Sequence, residues 1–517
     1  MEFSLAAFPL LILAAWLEGI SWAQLGVLLV LATIVYNTLL AIYRVLLSPL
    51  ANIPGPKVAA VTYLYEIYYD VWQGGQYFKR IAEMHEKYGP IVRINPDEVH
   101  FNDPEFIDVL FPGPARKTDK HSSLGRRTGT QDSIVATVDH DMHRKRRNTI
   151  NGFFSIASIR RLEPIMQESM RKLLARMATA GETGEVLRMH FVFKACTSDI
   201  ITKYAFGDSF HFLDEDDFAT PYMEASDFFH LFNHAMCHFP IVGTLLAKAP
   251  VWAIKTFIPG LSDMWDKREM WLEQVERIKA SPNPDRFKDT IFEGILSSKL
   301  PEEEKTNARL AHEAQLIVFA GQLLVHPDMY QRLREELIVA IPDPSQIPCY
   351  AQLETLPYLH AVMQEVIRLH PGVVSRLTRV SPTRPIEYID QRHGKTYVLP
   401  PGTPTNMTCQ IAHMNPKVFQ DPYTFNPQRW IDNRRLDRAF IGFARGTRNC
   451  IGMNFARQEM YIILATILLR YDVYHGQEGP TLELYNTTRE RDIDIVRDMI
   501  IPFPAKGSAG LQLRVRS

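Results

Sequence analysis

"FIGFARGTRNCIGMNFARQEMYIILATILLRY", residues 440–471, decides how the rest of this chain is read. Gly446 and Gly452 stand four residues before and two after Cys450, so the backbone on both sides is free to turn or to approach a neighbour closely. The run that follows predicts a long amphipathic helix, whose N-terminus would aim free N–H groups and the positive end of its dipole at the sulfur. That setting favours a thiolate. With no second Cys or His beside it, such a thiolate is a lone axial ligand to a metal rather than one member of a cage. The plain alternative is a buried free cysteine, the reading given to the other four.

Working outward, the 517 residues, 46% hydrophobic and 22% charged, provide for a large core. A formal net charge of -1 gives no global electrostatic case for nucleic acid as a partner. Cys196, Cys237, Cys349, Cys409 and Cys450 are scattered, odd in number and never in CxxC spacing, which argues against a disulfide scaffold or zinc finger and for a reducing compartment. Beyond residue 59 there is no internal repeat and no long linker, so one large domain is expected. Apolar residues recur at helical spacing in residues 76–89, 158–179, 358–369 and 454–471. Strand-like pieces are fewer, at 90–101, 384–389, 395–408 and 510–516. The expected fold is mostly α with a minor β part.

Phe443, Gly446, Arg448, Cys450 and Gly452 follow the spacing F-x-x-G-x-R-x-C-x-G. Through these five positions within ten residues the chain resembles the cytochrome P450 family. The resemblance implies the family's fold and haem b, with Cys450 as the axial iron ligand, Arg448 on a haem propionate and Phe443 packed beside the sulfur. Glu365 and Arg368 lie at i, i+3 on one helical face upstream of "FNPQRW". They resemble the family's Glu-Arg-Arg triad with Arg429 as third member, a structural group that fixes the cysteine loop. The same spacing in Glu168/Arg171 and Glu185/Arg188 is read as surface pairing. In "SRLTRV" Arg379 matches the family's propionate contact better than Arg376. In "DHDMHRKRRNTINGFFS" Arg147 matches a second one, and His143 stands where many relatives have Trp. A solvated basic run is the alternative for residues 144–147; on the functional reading Arg144, Lys145 and Arg146 belong to a docking patch for an acidic electron donor. His140 and His143, with no third ligand near, are not read as a metal site.

The N-terminus adds an address. Residues 22–43, "WAQLGVLLVLATIVYNTLLAIY", match the ~20 needed to cross a bilayer. Arg44 and Lys57 follow the span and Glu2 and Glu18 precede it, which directs the bulk of the protein to the cytosol. A cleaved signal peptide and a pair of core helices are the alternatives; the first lacks a basic leading region, and the second is disfavoured by Pro49, Pro54 and Pro56. The expected organisation is a membrane anchor over residues 1–47, a proline-rich hinge over 48–58 and a haem domain over 59–517. The resemblance implies a single-pass protein of the endoplasmic reticulum membrane, fed by NADPH through NADPH-cytochrome P450 reductase and acting on a small lipophilic substrate. "LHPGVVSRLTRVSP" and "AHMNPKVFQDPYTFNPQRW" look most like fungal membrane-bound P450 monooxygenases of secondary metabolism, trichothecene-pathway oxygenases among them, so a terpenoid or polyketide type of substrate is implied. The substrate is expected against Phe319, Ala320, Val373, Val374 and the turn near residues 502–505.

One stretch departs from the family. The helix over the distal haem face carries [AG]-G-x-[DE]-[TS] in most members, an acid and an alcohol that relay protons to bound dioxygen, with about four to five turns behind them. Here Ala320, Gly321 and Gln322 fit the first three positions, and Leu323 and Leu324 follow. Both relay residues and the turns behind them are missing, so the distal helix is truncated. Three readings compete: a coding segment absent from the recorded sequence, an impaired variant, or haem-thiolate chemistry that needs no relay. The first is favoured. The rival function is a membrane-tethered haem or ligand-binding protein impaired in oxygen activation.

Overall fold

The structure is a computed structural model that describes residues 21–127, 133–267 and 327–516 together with the single positions 276, 290, 291 and 295. The remnant Ala320, Gly321 and Gln322, with Phe319, Leu323 and Leu324, lies outside the described residues.

Helix α1 (Trp22–Ile42) starts from a capping box built by Ser21 and Gln24. With the turn Tyr43–Leu47 it forms a helix of 26 residues, long and apolar enough to cross a membrane. The proline segment after it is less of a free hinge than its composition suggests. Leu50 and Ile53 are buried, and the Arg93 N–H donates to Pro54 O at 2.8 Å. A Cβ on Gly55 would lie 2.4 Å from Arg93 O, so only glycine allows this approach.

The remaining elements needed for the site are α2 (Tyr77–Tyr88), α3 (Ser122–Arg127), α4 (His140–Ile150), α5 (Glu163–Thr183), α6 (Met189–Phe206), α7 (Asn233–His238), α8 (Pro327–Ala340), α9 (Pro357–Leu369), α10 (Gln428–Asp432) and α11 (Met453–Arg470). The strands are short: β1 (Ile91–Arg93), β2 (Val99–Phe101), β3 (Val186–Arg188), β4 (Arg379–Val380), β5 (Ile386–Asp390), β6 (Lys395–Leu399), β7 (Pro404–Asn406), β8 (Asp472–Val473), β9 (Thr481–Leu484), β10 (Arg497–Met499), β11 (Ile501–Phe503) and β12 (Gln512–Arg516). They form two four-stranded sheets, β1-β2-β7-β4 and β3-β12-β9-β8, and two hairpins, β5-β6 and β10-β11. β2 runs parallel to β7 with Val99 opposite Thr405, which ties the first hundred residues to the last quarter.

The main core lies among α5, α6, α8, α9 and α11, where Met166, Met170, Leu173, Ile200, Leu333, Leu359, Phe455 and Ile462 are buried together. Helix α11 is not amphipathic. Gln458, Glu459, Tyr461, Ile462, Ile463, Ala465 and Thr466 are all buried, so neighbours cover nearly its whole circumference. Burial alone pushes the Glu459 carboxyl well above its ordinary range. A second core, with Phe419, Trp430, Phe440 and Ile441, lies beneath the cysteine loop.

Candidate functional site

The loop that presents Cys450 is shaped by its own backbone. The Cys450 N–H donates to Phe443 O at 2.8 Å, closing the segment on itself, and Gly446 at φ 68° turns it. A Cβ at Gly446 would lie 2.4 Å from Pro112 O, so that glycine is required on two counts. Gly452 is not: its φ is -82°, and its use is the backbone N–H it offers to the sulfur. Burial raises the thiol's pKa; the Gly452 N–H and the Arg147 charge only oppose that. The helix terminus therefore leaves the free thiol protonated, and a thiolate needs a metal cation to form it. Cys450 is exposed although burial governs its titration, which leaves a space open beside the loop.

Four cations gather at that space. Arg448 donates from Nη1 to Thr137 O at 2.6 Å and from Nη2 to Val138 O at 2.7 Å, while its buried Nε has no partner. Arg379 is buried over the Phe111 ring. Burial and then the charge of Arg448 pull its pKa down to about 9. Arg147 on α4 donates to Asn449 O at 2.6 Å and Asn449 Oδ1 at 2.7 Å, clamping the residue before the cysteine. Lys120 is the fourth; burial, then Arg379, Arg448 and Arg147, push its ammonium well down. Among the described residues no carboxylate forms an ion pair with any of the four. His143 is held neutral, down to about 2, by burial and then by Arg448, Lys120 and Arg147. Asp119 and Asp139 offset part of this charge at Arg448; the excess that remains beside a thiol suits a metal-bearing group with two carboxylates.

Arg376 and Arg379 are told apart by the structure. Arg376 is ion-paired with Glu66 and lies 3.7 Å from Asp70, and only Arg379 joins the cationic group. Arg146 is also sorted: it is buried and donates to Thr137 Oγ1 at 2.8 Å, so of the basic run only Arg144 and Lys145 are exposed.

The triad residues come together. Arg368 binds Glu365 through two hydrogen bonds of 2.8 Å, and Arg429 Nε reaches Glu365 Oε1 at 3.2 Å. Trp430 Nε1, which sequence reasoning missed, donates to Glu365 Oε2 at 2.8 Å. The two guanidiniums then hold carbonyls of the loop before α10: Arg368 takes Pro422 O at 2.6 Å and Arg429 takes Gln420 O at 2.6 Å. Helix α9 reaches the cysteine loop through His413, also missed. Its Nδ1–H donates to Arg368 O at 3.1 Å, and its Nε2 accepts from the Ile441 N–H at 3.0 Å. Burial holds this ring neutral, down to about 3. The residue spacing that exposed Cys450 carries no trace of His413 or Lys120, because both act on backbone or on charges distant in sequence.

Val374 meets the C-terminal hairpin, but at its apex rather than at residues 502–505: the Val374 N–H donates to Ile500 O at 2.9 Å, and Ile500 turns the chain at φ 76°. Val373 remains exposed.

A P450-type loop on a mostly helical fold defines a haem-thiolate class of protein, and comparison with known proteins places the chain within it. The family model for Cytochrome P450 matches residues 54–488. The chain is 36% identical over 506 residues to "Cytochrome P450 monooxygenase tpcC" of Cochliobolus heterostrophus, covering 94% of this chain and 96% of the relative. It is 36% identical over 497 residues to "Tryptophan 6-hydroxylase fscE" of Fusarium equiseti, covering 92% and 94%. It is 36% identical over 506 residues to "Fusicoccadiene C-8 hydroxylase" of Phomopsis amygdali, covering 92% and 93%. The chain belongs to the cytochrome P450 family, among monooxygenases of fungal secondary metabolism. Family membership implies haem and a redox partner that supplies electrons.

Proposed function

We propose that this chain is a membrane-tethered monooxygenase that holds haem b through Cys450 and inserts one oxygen atom into a lipophilic secondary-metabolite intermediate. The observation that carries the reading is the set of four basic side chains, Lys120, Arg147, Arg379 and Arg448, gathered beside Cys450 with no carboxylate ion pair among the described residues. When bound, the haem supplies reductive activation of dioxygen and transfer of one of its atoms to substrate.

The chain's own residues have separate tasks. Arg448, through its free Nε, with Arg379 and Lys120, neutralises the propionates; Arg147 fixes Asn449 and so aims the sulfur. Phe443 stays beside the loop, against the Arg457 guanidinium and the Phe440 ring. Glu365, Arg368, Arg429 and His413 hold the loop rigid from below.

The electrons come from NADPH through NADPH-cytochrome P450 reductase, with Arg144 and Lys145 as the exposed cations of the docking face. The helix Trp22–Leu47, apolar and almost wholly unburied, is the anchor, and it carries the haem domain, residues 59–517, on the cytosolic side of the endoplasmic reticulum membrane. The relatives' names include fusicoccadiene and tryptophan as what is hydroxylated; a terpenoid or polyketide type of substrate is the first to be tried, and an aromatic one is added.

A second reading rests on Leu323 and Leu324, where the acid and alcohol of the relay are missing: a haem or ligand-binding protein impaired in oxygen activation. Membranes containing the chain and its reductase, given NADPH, isotopically labelled dioxygen and a panel of terpenes, polyketides and indoles, separate the two. A product carrying one labelled atom, absent for Cys450→Ala, is expected. Haem-loaded protein that consumes no NADPH across the panel would establish the second reading instead.

A further inference from the structure

The tip of the β10-β11 hairpin is held in place by a polar cluster that the haem site does not use. Helix α7 turns Asn233 and His234 inward, 1% and 2% exposed. Asn233 Nδ2 donates to Met499 O at 2.9 Å, and the His234 Nε2–H donates to Asp498 O. On the other side the Asp498 N–H donates to Gly75 O at 2.9 Å, and a Cβ at Gly75 would lie 2.1 Å from Asp498 O. Asp498 Oδ1 accepts from Ser375 Oγ at 2.6 Å and from the Ile500 N–H at 2.8 Å. Three segments distant in sequence therefore grip the backbone of residues 498–500.

The proton count of this cluster is fixed by geometry. His234 Nε2 is committed as a donor, so on a neutral ring Nδ1 carries a lone pair. That lone pair faces Asp70 Oδ2 at 3.5 Å, inside the protein, since Asp70 is 3% exposed. His234 Nδ1 has no hydrogen-bond partner, and neither has the other oxygen of Asp70, Oδ1. Two buried lone pairs facing one another are costly, so one proton belongs between them.

The neighbours strengthen the requirement. Arg376 is ion-paired with Glu66 and 3.7 Å from Asp70, His238 lies 3.6 Å from Glu66, and Tyr77, His230 and the Asp498 carboxylate complete the surroundings. The Arg376 guanidinium thus faces three carboxylates, Glu66, Glu98 and Asp70, while Asp498 adds negative charge at Asp70. Burial, with Glu66 and Asp498 adding to it against His234 and Arg376, pushes the Asp70 carboxyl up to about 6. Glu66, Asp70 and His238 also have ligand-like spacing, within 4.8 Å of one another. Arg376 already supplies the cation there, so the cluster reads as a proton site rather than a metal site.

We propose that one proton lies between Asp70 and His234 Nδ1 and that this pair positions the turn at residues 497–503. That the turn faces substrate rests on the monooxygenase reading; its attachment to α7 does not. The pair is intact while the proton is held; as rising pH removes it, Nδ1 and the carboxylate repel, the ring turns, the Asp498 carbonyl loses its donor, and the neighbouring Asn233 contact to Met499 O on the same helix weakens with it. Asp70 and His234 are positioning residues.

Hydrogen–deuterium exchange on the full-length holoprotein, read as protection factors for peptides covering 230–239 and 496–504 across pH about 6 to 9, tests this. Wild-type protection of both peptides is expected to fall about tenfold as pH rises from about 6, where the Asp70 carboxyl loses its proton. Asp70→Asn, whose amide N–H can donate to a neutral Nδ1, is expected to keep the protection and lose the pH dependence; Asp70→Ala is expected to lose protection at every pH. A wild-type pH profile unchanged in Asp70→Asn, or equal losses in the Asn and Ala variants, would overturn the proposal. A second measurement needs no variant. The affinity ratio of clotrimazole, a bulky azole, to imidazole, each constant expressed for the neutral azole, is expected to change with pH in the same window, and a constant ratio contradicts the pair's role. A chain that takes up no haem gives no azole spectrum and sinks the monooxygenase reading, while the exchange result stands by itself.

Discussion

At the residue scale, charge does what spacing could not reveal. Cys450, Phe443 and Arg448 were legible because the loop packs five chemical requirements into ten residues. Lys120 and His413 were not, since each finds its partners far along the chain: His413 serves Arg368, 45 residues before it, and Ile441, 28 residues after. The register of Arg379 against Arg376 also needed the fold, which sends one to a cationic pocket and the other to Glu66. If the pocket exists for two propionates, haem with both carboxylates esterified should bind the apoprotein at least about tenfold more weakly than free haem, since each charge-assisted hydrogen bond is worth ~1.5–3 kcal/mol. Absorbance titration of the Soret band measures it, and equal affinities would remove the electrostatic role of Arg379, Arg448 and Lys120.

At the element scale, the helices of residues 77–88 and 163–183 were readable from apolar spacing because each buries one face, and that of 357–369 was readable although Gln364, Glu365 and Arg368 are buried too. Helix α11 was placed correctly but misjudged as amphipathic, since its polar residues Gln458 and Glu459 are buried as well. The strands β3, β4 and β8 to β11 went unread: two to four residues offer too little alternation to register. Helices α9 and α10 are joined by Glu365, which is 0% exposed and accepts from Arg368, Arg429, Trp430 and the Asn426 N–H. Glu365→Ala leaves two buried guanidiniums without their carboxylate, a loss of about 3–5 kcal/mol. The expected outcome is a melting temperature lowered by several degrees, with haem lost on heating, as followed by circular dichroism and the Soret band. An unchanged melting temperature would mean that the triad does not carry the loop.

At the scale of the whole molecule, acid should loosen the fold through its interior histidines. Burial holds His85 and His230 down to about 4 and His370 and His413 down to about 3, from an ordinary 6.5. Each is neutral when folded and takes up a proton when unfolded. Their contribution is therefore full above pH 6.5 and is lost as pH falls from there through the folded values. Thermal melts of the holoprotein should drop steadily from neutral pH to about pH 5, and a flat profile would show that these rings find water before the fold gives way. The family, the helical architecture and the apolar N-terminal helix are shared between sequence and structure. What residues 320–324 do to oxygen chemistry depends on the full site working as one. The most direct measurement is the reduced-CO difference spectrum of the chain as written and of Cys450→Ala. A red-shifted haem-thiolate band for the first and its loss in the second is the predicted result; a band that survives Cys450→Ala, or its absence from haem-loaded wild-type protein, contradicts thiolate ligation by Cys450.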